Sequence, residues 1–437
     1  LSPRGGSSPR LTGEERSCRA LETDPTAAGS RDDAALGVYV HFPWCLSKCP
    51  YCDFVAFAAP RASIDGAGYA EAILTELATR KEGLAGRRVS TVFFGGGTPS
   101  LWGAAEVARV LDAITATFPT DEAVEVSLEC DPSSLDEEVA HALAGAGINR
   151  LSIGVQALDD ERLRFLGRIH TRDDAIRAVR GALRAGIPRV STDLIYAVAG
   201  QTPESAAGEA RTLADLGVSH VSAYSLTIES DTPFGKLAKR GRLPLCDDAV
   251  MAESFFAIDE TLCAEGFAHY EVSNYARPGH EARHNLGYWQ GRDYLGLGCG
   301  AYGTLRTRSG AVRYRNHATP RAYLDAATRS PRTGARGIER PGVLAGDDAA
   351  ASRFTSSEEH LDGAALLRER IMLGLRMKRG FDLEAAAADL DTDPYPAERR
   401  AALEKLEARG RIVRRSARIA VPREAWIWVD DTAATLF

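Results

Sequence analysis

Three stretches of the sequence, LAGAGINRLSI, LRAGIPRVST and LADLGVSHVSA, share one local pattern. Each runs from the end of a helix-period segment, through a glycine, into a β-branched run. Gly147, Gly186 and Gly217 suit the left-handed position that stops a helix, which favours glycine because it has no Cβ. The β-branched runs suit strands. A chain that keeps passing from helix to strand in this way builds parallel βα units. Strands are expected over 37–41, 90–94, 124–129, 150–154, 189–194 and 220–225, and helices over 69–79, 104–118, 136–146, 171–185 and 205–216. Six such units predict an α/β fold, a partial (β/α)6 barrel, with its chemistry at the carboxyl ends of the strands.

The first expected strand leads into VYVHFPWCLSKCPYCDF, residues 38–54. Here Cys45, Cys49 and Cys52 stand as C-x3-C-x2-C. A [4Fe–4S] cluster is normally held by four thiolates. Three thiolates in one loop leave one iron open, and an open position is what distinguishes a catalytic metal site from a structural one. Zinc is the competing reading, with His41 completing a Cys3His set, but no second ligand pair follows. Thiols without any metal are the third reading.

The net charge of −7 over 437 residues argues against a nucleic-acid partner. No apolar run approaches a membrane span; a peripheral membrane contact stays open. The eight cysteines of so long a chain read as reduced thiols plus one metal site, which suits the cytoplasm. Residues 1–36, which include Cys18, read as a disordered tail rich in Ser, Gly, Arg and Pro. The barrel then covers 37–226, an extension over its open side 227–326, a linker 327–360, and a small winged-helix-like domain 361–437.

Polar residues collect at the expected strand ends. Gly95-Gly96-Gly97-Thr98-Pro99 follows the second strand, where glycines let backbone approach a ligand; a plain tight turn explains it equally well. Glu129 ends the third strand, where a carboxylate serves a ligand or caps a helix. Gln156 and Arg168 follow the fourth. Arg168 has the planar fork that binds a carboxylate, or it forms a surface ion pair. Asp193 ends the fifth strand, as a hydroxyl acceptor or a buried anchor. Tyr39 and Tyr51 flank the cysteines, to shield a cofactor or simply to pack. Cys130 reads as a small buried hydrophobe.

The segment Tyr39-Val-His41-Phe-Pro43-Trp-Cys45, with the three cysteines, resembles the cluster loop of the radical SAM superfamily. Within it, the segment is similar to the branch holding oxygen-independent coproporphyrinogen III oxidases and HemW-type heme chaperones. The resemblance implies a [4Fe–4S] cluster on Cys45, Cys49 and Cys52. It implies S-adenosylmethionine (SAM) on the open iron, cleaved after one-electron reduction to a 5′-deoxyadenosyl radical. It further implies SAM contacts from Tyr39, Tyr51, Gly96, Gly97, Thr98, Glu129, Gln156, Arg168 and Asp193. The oxidases continue their loop with a fourth cysteine, and Phe54 stands there instead. His284-Asn285-Leu286-Gly287-Tyr288-Trp289 fits the HNxxYW motif of the chaperones, with His284 as a candidate heme ligand or a hydrogen-bonded cap. GLGCGAYG at 296–303 departs from the family's GLGxGAHS at Tyr302 and Gly303. The resemblance covers Gly37 to about Arg315, and the C-terminal domain loosely. The expected function is a heme chaperone that passes heme to an acceptor such as a respiratory cytochrome or oxidase. Its alternatives are a coproporphyrinogen III dehydrogenase, and a heme carrier with a purely structural cluster. The electron donor is not readable from the sequence.

Overall fold

Along the first strand, β1 (Ala35–Phe42), Leu36, Val38, Val40 and Phe42 are fully buried and alternate with Gly37, Tyr39 and His41. Successive strand side chains point to opposite faces. The apolar set packs outward on helix α1 (Gly66–Arg80), through Tyr69, Ile73 and Leu77. The other set faces the barrel interior. This is a computed structural model, and it describes residues 34–307, 309–328, 353–415 and 417–437.

Five further βα strands follow: β2 (Arg88–Gly96), β3 (Thr120–Cys130), β4 (Arg150–Gln156), β5 (Arg189–Tyr196) and β6 (His220–Ser225). All pair in parallel with their sequence neighbours. The helices between them are α2 (Ala104–Thr117), α3 (Glu137–Gly145), α4 (Asp160–Phe165), α5 (Arg172–Arg184) and α6 (Pro203–Asp215). Their starts are written in the sequence. Asp136 caps α3, and Thr171 with Asp174 forms a full capping box on α5. Gly147, Gly186 and Gly217 do adopt positive φ, 94°, 78° and 89°.

The segment expected only to cover the barrel does more: it lengthens the sheet at both edges. After α7 (Pro233–Ala238) and α8 (Asp248–Ala264), β7 (Ala268–Glu271) and β8 (Asn274–Ala276) add antiparallel strands beside β6. After α9 (Arg283–Trp289), β9 (Tyr294–Leu297) pairs in parallel with β1. It is followed by the antiparallel β10 (Tyr302–Thr307) and β11 (Gly310–Asn316). The outermost strand on this side, β12 (Thr355–Leu361), falls largely inside the expected linker; its polar composition hid an edge strand whose middle five residues are all exposed. Together these form one twelve-stranded sheet. Ala35 and Leu36, expected in the tail, begin β1. The remainder of the expected tail, residues 1–33, and positions 329–352 of the linker lie outside the described residues.

After α10 (Pro320–Thr328), the C-terminal domain has α11 (Gly363–Gly374), α12 (Leu383–Asp389) and α13 (Ala397–Ala408) against a small sheet of Phe381–Asp382, Val413–Arg415 and Arg418–Ala420. It docks on the β7 edge, where Val272 N–H donates to Arg376 O at 3.0 Å and Lys378 N–H to Tyr270 O at 3.0 Å. His269, stacked on Tyr275 and edge-on to Trp426, binds Asp259 at 2.8 Å in the same junction. No helix among the described residues is long and apolar enough to cross a membrane.

Candidate functional site

The carboxyl ends of β1 to β5 converge on the loop that carries the cysteines. Cys45, Cys49 and Cys52 are half-buried free thiols on this loop. Among the described residues no three His, Cys, Asp or Glu side chains gather tightly enough to hold a single metal ion. His41, which the zinc reading required, is committed elsewhere. Burial lowers its pKa to about 4, so the ring is neutral. Its Nε2–H donates to Val55 O at 2.8 Å, and its Nδ1 accepts from Tyr39 OH at 2.9 Å. The imidazole thereby braces the cluster loop from below.

The loop after β2 follows the same wall. Gly97 N–H donates to Phe42 O at 2.7 Å, and Thr98 N–H to Trp44 O at 2.8 Å. Gly96 lies at φ +114°, and a Cβ there would stand 2.5 Å from the His41 ring. Glycine at 96 is therefore demanded twice, by conformation and by space. Its N–H donates to Glu129 Oε2 at 2.9 Å. Burial pushes the Glu129 carboxyl up to about 8 against the opposing Gly96 hydrogen bond, and the charge of Asp193 adds to the rise. Glu129 is thus a neutral acid inside the barrel at pH 7, and a cationic neighbour would favour its ionised form.

Arg168 lies deepest against the cysteines. Its guanidinium donates to Asp131 Oδ2 at 2.6 Å, Gly154 O at 3.0 Å and Cys49 Sγ at 3.5 Å. Burial works to lower its pKa, but Asp131, Tyr51 and Cys49 outweigh that and raise it. Asp131 in turn is held low by Arg168 and Ser133 despite its burial. Gln156 takes φ +65°, rare for a residue with a Cβ, which turns the chain at the end of β4. Asp193 accepts from Ser152 at 3.2 Å, and burial raises its pKa. Tyr51 packs on Phe234, with ring centroids 6.4 Å apart. Every residue singled out at the strand ends thus lies on this one side of the barrel.

His284 lies elsewhere. It opens α9, which plugs the amino end of the barrel. Glu125, inside β3, accepts the backbone N–H groups of Arg283 and His284 at 3.1 and 3.0 Å. The His284 ring stacks on Phe93 at 5.1 Å, and both its nitrogens are hydrogen-bonded, to Thr91 Oγ1 at 2.8 Å and to Tyr288 OH at 2.9 Å. Burial lowers its pKa to about 3. In this geometry it is a hydrogen-bonded interior histidine with neither nitrogen free for a metal.

Two supports gave no signal in the sequence. Asp131 looks like a turn residue in CDP but anchors Arg168. Glu76, spaced as an ordinary helical Glu–Arg pair with Arg80, is wholly buried. It accepts from Arg80 at 2.6 Å, Asn316 at 2.7 Å, Tyr323 OH at 2.7 Å and Gly298 N–H at 2.9 Å. Nearby, Tyr69 OH donates to His41 O at 2.6 Å and accepts from Cys299 N–H at 2.8 Å. The loop at Gly298–Cys299 is therefore fastened beneath the cluster loop.

Comparison with known proteins agrees with this layout. Residues 39–213 match the family model of the radical SAM superfamily, and 361–428 that of the HemN C-terminal domain. The heme chaperone HemW of Escherichia coli K12 is 37% identical over 291 residues, 66% of this chain and 75% of that protein. The heme chaperone HemW of Mycobacterium tuberculosis H37Rv is 35% identical over 353 residues, 80% of this chain and 84% of that protein. The chain belongs to the HemW family of the radical SAM superfamily. The solved coproporphyrinogen III oxidase HemN of Escherichia coli has the same fold, with a TM-score of 0.74 over 92% of this chain and 90% of its own, at 22% identity.

Two positions singled out in the sequence have a structural account. Phe54 is 64% exposed beside the cysteine loop. Gly303 has no room for a side chain: a Cβ there would stand 2.3 Å from the Tyr314 ring. Tyr314 fills that space and bonds Gly296 through its hydroxyl, at 3.0 Å to both N–H and C=O.

Proposed function

We propose that this protein holds a [4Fe–4S] cluster on Cys45, Cys49 and Cys52, binds SAM against it, and carries heme to an acceptor protein in the cytoplasm. The fit rests on the donor set: three free, half-buried thiols at C-x3-C-x2-C spacing on one loop, with His41 committed to Tyr39 and Val55. When bound and reduced, such a cluster supplies one electron for cleaving the sulfonium of SAM.

The chain's own residues have separable tasks. The free edge of the Gly96–Gly97 turn and the Glu129 carboxyl receive the amino group of SAM. A cationic group beside Glu129 would favour its ionised form, the proton passing to solvent. Arg168, pre-aimed by Asp131, meets the carboxylate, and Asp193 accepts from the ribose. Thr98 and Gln156 border the same space, while Tyr39 and Tyr51 screen it from water.

Phe54 carries the choice between sister functions. It gives the loop an exposed apolar ring where the oxidases have a thiol, and the relatives of highest identity above are named heme chaperones. The test is direct. Anaerobic incubation with coproporphyrinogen III, SAM and a reductant yields no protoporphyrinogen IX, and hemin titration gives a saturable Soret band. Formation of protoporphyrinogen IX would overturn the reading, as would hemin binding that never saturates.

A further inference from the structure

Arg150 opens β4 and is 2% exposed. It shares the interior face with Ser152, two residues on, whose Oγ donates to Asp193. A guanidinium carries five N–H donors. Arg150 Nη1 donates to His280 O at 3.2 Å; among the described residues it makes no other hydrogen bond and has no carboxylate within 4.0 Å. Arg168, by contrast, has Asp131 at 2.6 Å. The acids near Arg150 are engaged elsewhere. Glu125 pairs with Arg189 at 3.3 Å and accepts the N–H groups of Arg283 and His284. Asp193 accepts from Ser152; burial raises its pKa, although Arg150 acts from beyond ion-pair distance to lower it. A buried cation with no anion is strongly unfavourable.

Two further groups beside Arg150 lack partners. Ser127 on β3 is in register with Arg150, and its buried Oγ bonds nothing among the described residues. His280, whose carbonyl receives Nη1, has a buried Nδ1 that also bonds nothing. Burial and the charges of Arg189 and Arg150, against Glu281, hold the His280 ring below its ordinary pKa. A neutral imidazole can carry its proton on Nδ1. Three groups able to donate, on adjoining segments, therefore have no acceptor. Arg189, in register with Arg150 on its other side, adds to the positive charge.

We propose that Arg150, with Ser127 and His280, forms an anion site that takes a carboxylate. It is separate from the Arg168 end: Gly154, whose carbonyl receives Arg168, lies about 13 Å further along β4. The planar guanidinium fork matches the two oxygens of a carboxylate, and Ser127 Oγ and His280 Nδ1 add single donors. One negative charge balances Arg150; the second charge of a phosphate would meet the acids Glu125 and Asp193. No cluster, SAM or heme contact enters this argument, so it stands independently of the function proposed above.

The test melts the full chain in chloride, acetate or inorganic phosphate at equal ionic strength. Acetate should raise the melting temperature saturably, by at least about 2 °C over chloride, and phosphate should do less. Arg150→Met removes the unpaired charge, so it should melt no lower than the parent in chloride and lose the acetate response. Ser127→Ala should melt like the parent in chloride and need about tenfold more acetate for the same rise. A parent that melts alike in acetate and chloride overturns the proposal, as does an Arg150→Met protein that keeps the acetate response. A stronger response to phosphate overturns the carboxylate as occupant. Should Arg150→Met fail to fold, an unchanged acetate midpoint in Ser127→Ala overturns the site. Hemin titration of Ser127→Ala separates two sources of the carboxylate: weakened binding identifies a heme propionate, and unchanged binding a free small carboxylate.

Discussion

Gly96 and Glu129 are joined by a hydrogen bond of 2.9 Å, from the glycine amide to Oε2. That bond is too little to keep the buried carboxyl ionised. Glu129 in the folded protein titrates near 8, against an ordinary 4.5. The folded state therefore binds more protons between pH 4.5 and 8, and stability from this group is lost as pH rises through that window. Glu129→Gln should flatten this part of the curve and be the more stable protein at pH 8.5 without SAM. Thermal melting of both across pH 5 to 9 checks it; parallel curves would mean that Glu129 is already ionised.

His284 runs the other way. Its folded value of about 3 lies below the ordinary 6.5, so the unfolded chain binds the extra proton and stability falls as pH drops from 6.5. His284→Ala leaves the Thr91 and Tyr288 hydroxyls short of a partner and opens space beside Phe93. It should cost about 2–4 kcal/mol in denaturant unfolding. Its hemin spectrum should match the parent's; a changed Soret maximum would show that the ring leaves Thr91 and Tyr288 to bind iron.

Gly96→Ala places a methyl 2.5 Å from His41, and Gly97→Ala one 2.6 Å from the Trp44 carbonyl oxygen. The second clash is with backbone, which has less freedom to move. Both should destabilise by about 2–4 kcal/mol, Gly96→Ala through its strained φ as well as its clash, and both should lower iron incorporation. Wild-type iron content and melting in either would remove the close packing described for this turn.

Asp131→Asn removes the charge that aims Arg168. SAM affinity, measured by anaerobic calorimetry on cluster-loaded protein, should fall about tenfold, equivalent to about 1.4 kcal/mol. Arg168→Lys should fall at least as far, because an ammonium cannot keep the Asp131, Gly154 and Cys49 contacts at once. Unchanged affinity in Asp131→Asn would leave Asp131 as a turn residue only.

The barrel was legible because its signals are local. Gly147, Gly186 and Gly217 stop helices by backbone conformation, and alternation in β1 separates wall from interior within eight residues. The strand-end polar residues were legible for the same reason, since strand position alone sends them to one rim. Nothing local marks Glu76, whose partners Asn316 and Tyr323 are more than two hundred residues away. Nor does the motif around His284 reveal which end of the barrel it serves, because α9 is placed by Glu125 from a distant strand. The edge strand at 355–361 was hidden for a different reason: exposed along its middle on both faces, it has no apolar alternation to read.

Helix α9 fills the amino end of the barrel with a histidine whose two nitrogens are both spent, while the strand-end polar residues lie toward the opposite end. Damage at the two ends is therefore separable: a change in α9 reads out in folding, a change at the strand ends in what the protein can hold.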